Sequence, residues 1–390
     1  MGKKKRAAVV DPPAETRSWS IGDPGLAEIF GYPSTYAGVS VGEMAAFGLT
    51  AFFRAVSIIA GTVAGLPLKS YRTLPDGTKE RVNTFLDDPG RMTPLGPTPF
   101  EWVELVLVHL LVHGNAYLLH HYNGAGAIIG LQPLHPSCVA VKVDDDGTKV
   151  FKVTMAAGGQ QEFTPLDITH IPGMGVDGVT GMAPVAVLRQ ALGTALAGDQ
   201  AAARMFGNGL LLGGLITPKE PLEKEDAEAL LASLKAKMVG VRNAGDLAFL
   251  NTDLTFSQWT STAEDGQFIE CRQFMISEIA RITGVPKVLL AEDGASTWGA
   301  GIAELNRGFA KYTLMAHTSR IEARLSRLLS RPTFCEFEYA GLLQGTPEVE
   351  LDMLIKQKEA EILTTDEIRR IRNMPPLPAV EVDEEEPVEP

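Results

Sequence analysis

The stretch from Glu264 to Leu329 contains DGQFIECRQFMISEIARIT (265–283), GVP (284–286) and AEDGASTWGAG (291–301), and then a long helical pattern that begins near Ile302. The first segment predicts a helix, which Gly284-Val285-Pro286 ends. The glycines of the third segment predict an irregular loop. Two helices that bracket a glycine-rich loop fit a mechanical device better than a substrate pocket.

The composition is that of a folded protein with a strong acidic balance. The chain has 390 residues, a formal net charge of −13 and a pI of about 5.1. A non-specific DNA-binding protein is usually basic, because it must neutralise phosphates. Any nucleic acid near this chain is therefore repelled by the average field or touched only by local basic groups.

Apolar runs give no sign of a membrane partner. The longest of them, Val56 to Leu68 and Val103 to Val112, are too short to span a bilayer. The basic residues near the start precede only four apolar residues, so we expect no signal peptide there.

The first half of the chain predicts an α+β fold. Helices are expected over 50–66, where Phe53, Val56, Ile59, Ala60 and Val63 share a face, and over 98–113 before Gly114. Alternating apolar residues and turn signals predict strands over the following ranges: 66–72, 116–122, 128–134, 139–143, 149–155 and 168–171.

The second half predicts long helices around a small module. A helix rich in small residues is expected over 184–205. A strand over 211–217, a helix over 223–238 and a hairpin of 247–250 with 255–259 then precede the helix at 265. Further on we expect a strand over 333–339 and a two-piece helix over 347–372. The proline-rich acidic end, 375–390, is predicted to be disordered.

Enzymatic chemistry is weakly indicated. His109 and His113 stand at i, i+4 on one helix and form a candidate metal pair, but the HExxH pattern is missing and no carboxylate stands at a defined spacing. One buried and one edge histidine is the favoured interpretation. Neither a phosphate loop nor a GxSxG elbow occurs, so we expect no catalytic residue, metal or cofactor.

Several motifs in register resemble tailed-bacteriophage portal proteins of the common siphophage type. They run from 45 to 375, and they are the following: AFFRAVSIIAGTVAGLPL (51–68), HGNAY (113–117), LQPLHP (131–136), ITHI (168–171), GMAP (181–184), FGNG (206–209) and IARITGVP (279–286). The chain departs from the family pattern at Pro89-Gly90, in the loop at 296–299 and near 365–369.

The resemblance implies a multidomain portal fold with long helices lining a central channel in a ring, typically of twelve copies, at one vertex of the virion capsid. The implied partners are the major capsid protein, the large terminase subunit, a head–tail adaptor and double-stranded DNA, which passes without sequence specificity. Assembly is expected in the bacterial cytoplasm. The implied divisions are an arm (1–40), a wing (41–183 and 331–345), two stem helices (184–208 and 261–286), a clip (209–260), a tunnel loop (287–301), a tunnel helix (302–330), a crown (346–374) and an acidic tail (375–390).

Three sets of candidate functional residues follow from the resemblance. The tip of the tunnel loop is expected to touch DNA or a neighbouring subunit, and comprises Ser296, Thr297, Trp298 and Gly299. Acidic residues expected to line the channel and repel DNA are Glu264, Asp265, Glu270 and Glu278. Basic residues of the tunnel helix are expected to pair with acidic groups between subunits, rather than with phosphates, and are Arg307, Lys311, Arg320, Arg324 and Arg327.

Two other functions stay open at this point. One is a metal-dependent enzyme of an unrelated α+β class built on His109 and His113. The other is a monomeric capsid-associated adaptor that uses the module at 209–260.

Overall fold

We describe a computed structural model of the chain over residues 35–91, 96–155, 158–207, 214–218, 228–229, 254–258, 265–290, 300–343, 347–372, 374–375 and 377. The chain divides into two compact units, one of Met1–Ser296 with Phe309–Phe337 and one of Thr297–Gly308 with Glu338–Pro390. Helices and antiparallel sheets occur together, so the predicted α+β class is confirmed.

A helical layer opens the first unit, with α1 (Glu43–Phe47), α2 (Thr50–Ala64) and α3 (Pro99–His113). Helices α2 and α3 pack against each other and bury Trp102 completely. The predicted apolar face of α2 is confirmed except at Phe53, which is 56% exposed. Phe52 is buried in its place, while Phe53 packs edge-on against Phe47.

Antiparallel sheets form the rest of the wing-like region. Their strands are β1 (Leu68–Thr73), β2 (Lys79–Val82), β3 (Asn115–Tyr122), β4 (Ile128–Leu134), β5 (Val139–Val143), β6 (Lys149–Thr154), β7 (Gln160–Phe163), β8 (Ile168–Pro172) and β11 (Thr333–Phe337). The sheet orders are β11-β1-β2, β4-β3-β8 and β5-β6-β7. Strand β7 was not predicted, because its polar sequence QQEF lacks the apolar alternation of the others.

A buried apolar cluster joins two of these sheets. Tyr117 of β3, Phe151 of β6 and Ile168 of β8 lie in it, each at most 3% exposed. Strand β11 comes from far along the chain and pairs with β1 in register from Leu68 with Phe337 to Arg72 with Thr333. The sheet therefore fastens residues 333–337 to the strand that follows the second helix of the first unit.

Helix α3 ends at a tight backbone junction. Gly114 has φ of +67, a left-handed conformation that glycine adopts at little cost. A Cβ atom at this position would lie 2.0 Å from the carbonyl oxygen of Met182. The Gly114 carbonyl accepts a 2.6 Å hydrogen bond from the backbone N–H of Gly173. The loop after β8 is thus held against the end of α3.

The side chain of Asn115 completes this junction. Its Nδ2 donates to the carbonyls of Gly181 at 2.8 Å and His113 at 3.0 Å. Its Oδ1 accepts from the N–H of Gly181 at 2.8 Å and lies 2.9 Å from Nε2 of His170. A buried amide with four such partners fixes the loop, the helix end and strand β8 in one arrangement.

The helices that resemble the stem are α4 (Pro184–Val187), α5 (Arg189–Gly207) and α6 (Asp265–Thr283). The single helix predicted over 184–205 is therefore wrong at Leu188, which separates α4 from α5. Helices α5 and α6 pack together, and the Met275 methyl lies 3.3 Å from where a Cβ would stand at Gly198. The small residue permits this close approach.

Two strands lie between these helices in the sequence. Strands β9 (Gly214–Pro218) and β10 (Leu254–Gln258) pair antiparallel, so 254–258 has a partner in 214–218. The predicted strand at 247–250 and most of the predicted helix over 223–238 lie outside the described residues.

The long helical segment predicted from Ile302 has an irregular centre. Its parts are α7 (Ala300–Phe309), a π-helical turn (Ala310–Leu314), α8 (Met315–Leu325) and a 3₁₀ turn (Ser326–Leu328). The π-helical turn was not predicted. It lies where the Thr313 hydroxyl donates a 2.8 Å hydrogen bond to the carbonyl of Gly284, the residue that follows α6. Gly284 has φ of +71, as expected for a residue that ends a helix.

The second unit is helical where it is described. Beyond most of α7 it contains α9 (Ala340–Leu343), α10 (Pro347–Glu359) and α11 (Thr365–Ile371), so the predicted two-piece helix is confirmed. Thr364 and Glu367 form a capping box that fixes the start of α11. Across the described ranges, no helix combines the length and apolar content needed to cross a bilayer.

We expect Gly114→Ala to destabilise the protein by on the order of 2 kcal/mol or more. The left-handed backbone alone costs an alanine about 1–2 kcal/mol, and the new methyl group collides with the Met182 carbonyl. Unfolding temperatures of the purified full chain measure the effect. Gly124→Ala is the matched control, because a Cβ at Gly124 meets no atom within 4 Å and its φ is not left-handed. Equal unfolding temperatures for the two variants would contradict the expectation.

Candidate functional site

The tip of the predicted tunnel loop is not described. Residues 291–299 lie outside the described ranges, and with them Ser296, Thr297, Trp298 and Gly299. The structure gives only the flanks of this loop: the 3₁₀ turn Lys287–Leu290 before it and α7 after it.

The acidic candidates are spread along α6. Glu264 lies outside the described residues, and Asp265 is described only as the first residue of the helix. Glu270 is exposed. Glu278 is partly buried and pairs with Arg281 one turn later on the same helix. The ion pair of Glu278 and Arg281 has no net charge. Glu270 is therefore the stronger candidate for repelling DNA.

The basic candidates of the long helical segment differ in their surroundings. Arg307 pairs with Glu304 of its own helix at 2.7 Å, on the exposed surface. Lys311 is exposed, and its Nζ lies 5.8 Å from the centre of the Tyr312 ring. Arg320 is partly buried near His317, whose pKa burial lowers to about 4, with a smaller effect of the Arg320 charge.

Arg324 and Arg327 line an open cleft of about 660 Å³ together with Lys149 of β6. The cleft lies where α8 packs against β8. Within the described ranges no carboxylate forms an ion pair with Arg320, Arg324 or Arg327. Partial burial, and then the neighbouring Arg327, lower the pKa of Arg324. The charge of Arg327 thus acts on Arg324, and no ion pair with a described carboxylate offsets it.

Buried polar residues form the opposite wall of this cleft. His170 stacks on Tyr117 with ring centres 4.7 Å apart, and its Nε2 donates a 2.9 Å hydrogen bond to Oδ1 of Asn115. His120 lies 2.7 Å from the Thr169 hydroxyl. Burial, followed by the charges of Lys149 and Arg324, lowers the pKa of His170 to about 3. At neutral pH the histidines of this wall therefore add no charge to the cleft.

Lys149 was missed by sequence reasoning. In the sequence it is one basic residue at the start of a strand, and nothing local marks it. Its Nζ donates to the carbonyl of Val179 at 2.6 Å, which holds the ammonium group at the cleft. Only the packing of α8 against the sheet brings it to the two arginines, which were predicted.

An apolar groove runs between α5 and α6. It is lined by Leu192 and Ala195 on one side and by Phe274, Ile279 and Ile282 on the other. Phe274 is 60% exposed and Ile282 is 36% exposed. A single copy of the chain therefore leaves large apolar side chains of these helices in water.

The structure also shows the surroundings of His109 and His113, the candidate metal pair. His109 is buried, and its burial, followed by the charges of His135 and His113, lowers its pKa to about 3. His113 lies at the edge of α3, so the predicted arrangement of one buried and one edge histidine is confirmed. Glu43 and His135, which come from other parts of the chain, lie beside His113.

The comparisons with known proteins agree in one family. A family model described as phage portal protein matches residues 50–373. The chain is 31% identical over 379 residues to the probable portal protein of Streptomyces phage phiC31, which covers 93% of this chain and 82% of that one. It is 29% identical over 354 residues to the portal protein of Enterobacteria phage HK97, with 88% and 82% covered.

Solved structures give the same fold. A chain from the neck of the native gene transfer agent particle, computed with C12 symmetry, superposes with a TM-score of 0.58 at 25% identity. The match covers 85% of this chain and 92% of that chain.

We expect His170→Gln to flatten the loss of stability in acid. The pKa of His170 is about 3 in the folded chain, against roughly 6.5 for an unfolded histidine, so between these values only the unfolded state takes up the proton. Stability is therefore lost as the pH falls below about 6.5, by at most about 2 kcal/mol at pH 5 for this group.

Unfolding temperatures of wild type and variant between pH 7 and pH 4.5 measure the difference. His109 and His317, whose pKa values are also lowered, contribute in the same direction, so the variant loses only part of the slope. His121→Gln, at a partly exposed histidine of β3, is the control. A His170→Gln slope equal to that of wild type would count against this assignment.

Proposed function

This chain belongs to the phage portal protein family, and on that premise we propose that it forms a closed ring of twelve copies at one capsid vertex, through which double-stranded DNA is packaged and later ejected. The family predicted from the sequence motifs is thereby confirmed, and the chain is a portal protein of a tailed phage. The observation that carries the proposal is the family match over residues 50–373. The C12 symmetry of the structurally similar neck supports the number of copies.

Helix geometry is consistent with such a channel. Twelve helices spaced ~10 Å apart lie on a circle with a radius of ~19 Å. Subtracting ~5 Å for half a helix leaves a hole ~28 Å across, which admits a duplex roughly 20 Å wide. We assign the stem-like pair α5 and α6 to this wall, with one helix of each copy facing the channel. Their unpartnered apolar groove, with Phe274 and Ile282 exposed, supports a contact between neighbouring copies.

The basic cleft supports a second contact between copies. Among the described residues Arg324 and Arg327 form no ion pair there, and they lie beside Lys149, which is also acted on by the charge of Asp177. The chain as a whole carries 48 acidic residues and a net charge of −13. Carboxylates of the neighbouring copy would satisfy these cations in the ring. Phosphates of DNA are the rival ligand. We favour the neighbour, because a pore that binds phosphates strongly slows the passage of DNA.

The remaining divisions keep their predicted roles in this proposal. The module at 209–260 is the clip, which docks the terminase motor and later the head–tail adaptor. Residues 346–374 form the crown, and the wing contacts the major capsid protein. Trp298 at the loop tip touches DNA or the neighbouring loop, and Glu270 is the leading candidate for repelling DNA inside the channel. The role is structural and needs no catalytic residue or cofactor.

Neither alternative function is favoured. A metal-dependent enzyme and a monomeric adaptor both leave the match to portal proteins over most of the chain unexplained.

The ring itself is the first test. We expect electron microscopy of the purified full chain to show closed rings with a central hole of ~28 Å, the width obtained from helix packing. Native mass spectrometry should give twelve copies. A protein that stays monomeric at all concentrations and salt conditions would overturn the proposal.

The cleft contact is tested by charge reversal. We expect the Arg324→Glu/Arg327→Glu double variant to lose ring formation, with the apparent dissociation constant for assembly rising at least about tenfold, or ~1.4 kcal/mol. Light scattering against protein concentration measures it, and circular dichroism checks that the monomer stays folded. Arg72→Glu, an exposed arginine on β1, is the matched control.

The salt dependence separates the two ligands. If neighbouring carboxylates occupy the cleft, added NaCl screens an attraction in the wild type and a repulsion in the double variant. We therefore expect salt to weaken assembly of the wild type relative to that of the double variant. Normal rings from the double variant, with weaker binding of duplex DNA, would assign the cleft to phosphates instead and refute the subunit contact.

A further inference from the structure

Three side chains with metal-binding atoms converge beside the first helix. Glu43 is the first residue of α1, His113 is the last residue of α3, and His135 precedes the 3₁₀ turn Pro136–Cys138 that follows β4. Oε2 of Glu43 lies 3.2 Å from Nε2 of His113 and 3.6 Å from Nε2 of His135. One ligand atom of each of the three residues lies within 4.8 Å of the others.

The surroundings orient these ligand atoms. Nδ1 of His135 lies 2.7 Å from the hydroxyl of Ser137, which leaves Nε2 facing Glu43. Nδ1 also accepts a 3.3 Å hydrogen bond from the backbone N–H of Ser137, so the neutral ring carries its proton on Nε2, toward Glu43. Zinc at Nε2 would displace this proton. The ring would then carry its proton on Nδ1, where the Ser137 hydroxyl can accept it, as is usual for the second nitrogen of a metal-binding histidine.

The position of His113 is fixed by the helix end. The junction at Gly114 and Asn115 determines where α3 stops, and His113 is the residue just before it. Its Nε2 is buried and makes no hydrogen bond of acceptable geometry in the described part of the chain, although the Glu43 carboxylate is close. A buried ring nitrogen that faces a carboxylate without a well-formed hydrogen bond is suited to coordinate an ion between them.

The distances fit a tetrahedral ion. Zinc binds imidazole nitrogen and carboxylate oxygen at roughly 2.0–2.2 Å, which places neighbouring ligand atoms ~3.4 Å apart. The distances from Oε2 of Glu43 to the two histidine nitrogens, 3.2 Å and 3.6 Å, bracket this value. Two histidines and one glutamate are a common zinc-binding set, and a water molecule would supply the fourth ligand.

We propose that Glu43, His113 and His135 form a zinc site that fastens helix α1 to the end of α3 and to the turn after β4. The inference does not depend on the portal function. Helix α1 has five residues, too few to be stable alone, so it needs a tertiary attachment. A bound ion would provide one at its first residue. The site comprises residues from three separate segments, and therefore bound zinc stabilises the folded chain against the unfolded one.

Zinc binding to the full chain, prepared without a histidine tag, tests the proposal. After dialysis against EDTA and reconstitution, elemental analysis should give one zinc per chain, and added zinc should raise the unfolding temperature. Titration in competition with a chromophoric zinc chelator should show affinity falling at least about tenfold in Glu43→Ala and in His135→Ala, since even outer-shell changes reach that size. Cobalt in place of zinc should give the intense visible bands of a four-coordinate ion.

The matched control is His121→Ala, which removes a partly exposed histidine of β3 outside the cluster and should bind zinc as wild type does. Glu43 and His135 are partly exposed, so their variants are expected to fold. Less than a tenth of an equivalent of zinc on the wild-type chain would overturn the proposal and leave an ordinary histidine–glutamate ion pair. Unchanged zinc affinity in both variants would overturn it equally.

Discussion

The first unit depends on the backbone contact between the end of α3 and the loop after β8. The Gly114 carbonyl accepts from the N–H of Gly173, and the Asn115 amide joins the same loop through Gly181. A side chain at position 114 has no room, because the Met182 carbonyl occupies its place. The direction of strand β3, the position of the loop and the start of the stem-like helices are all set by this contact. The glycine and asparagine are therefore required by packing.

Two candidate sites are built on opposite sides of that junction. His113 precedes Gly114 and faces Glu43, whereas the Asn115 amide contacts His170 in the wall of the basic cleft. The neutral state of His170 follows from its burial, so the positive charge of the cleft comes from Lys149, Arg324 and Arg327, with Asp177 acting on Lys149. One short sequence, His-Gly-Asn, thus positions a metal-binding candidate and a subunit-contact candidate through the same backbone geometry.

Local sequence signals predicted most elements, and long-range packing explains the rest. Periodicity or caps that act within a few residues mark most of the predicted elements. Examples are the helix ending at Gly114, most strands of the wing-like region and the two-piece helix after Pro347. Strand β7 and the π-helical turn carry no such signal, since one is polar and the other lies where Thr313 meets Gly284. The same difference between local sequence signals and long-range packing applies to the candidate sites. Arg324 and Arg327 were predicted, but Lys149, Glu43 and His135 join their clusters only through contacts between distant segments.

The acidic balance of the chain and its local basic cleft are two parts of one electrostatic arrangement. With a net charge of −13 per chain, copies brought together in a ring repel each other over about 8 Å at physiological salt. In the proposed ring, apolar contact along α5 and α6 would work against that repulsion, and the groove with Phe274 exposed offers the surface for it. Arg324 and Arg327, which form no ion pair among the described residues, would convert part of the repulsion into a directed attraction. A chain with evenly spread charge would have no such orientation, so in the proposed ring the position of Arg324 and Arg327 would select how neighbouring copies meet.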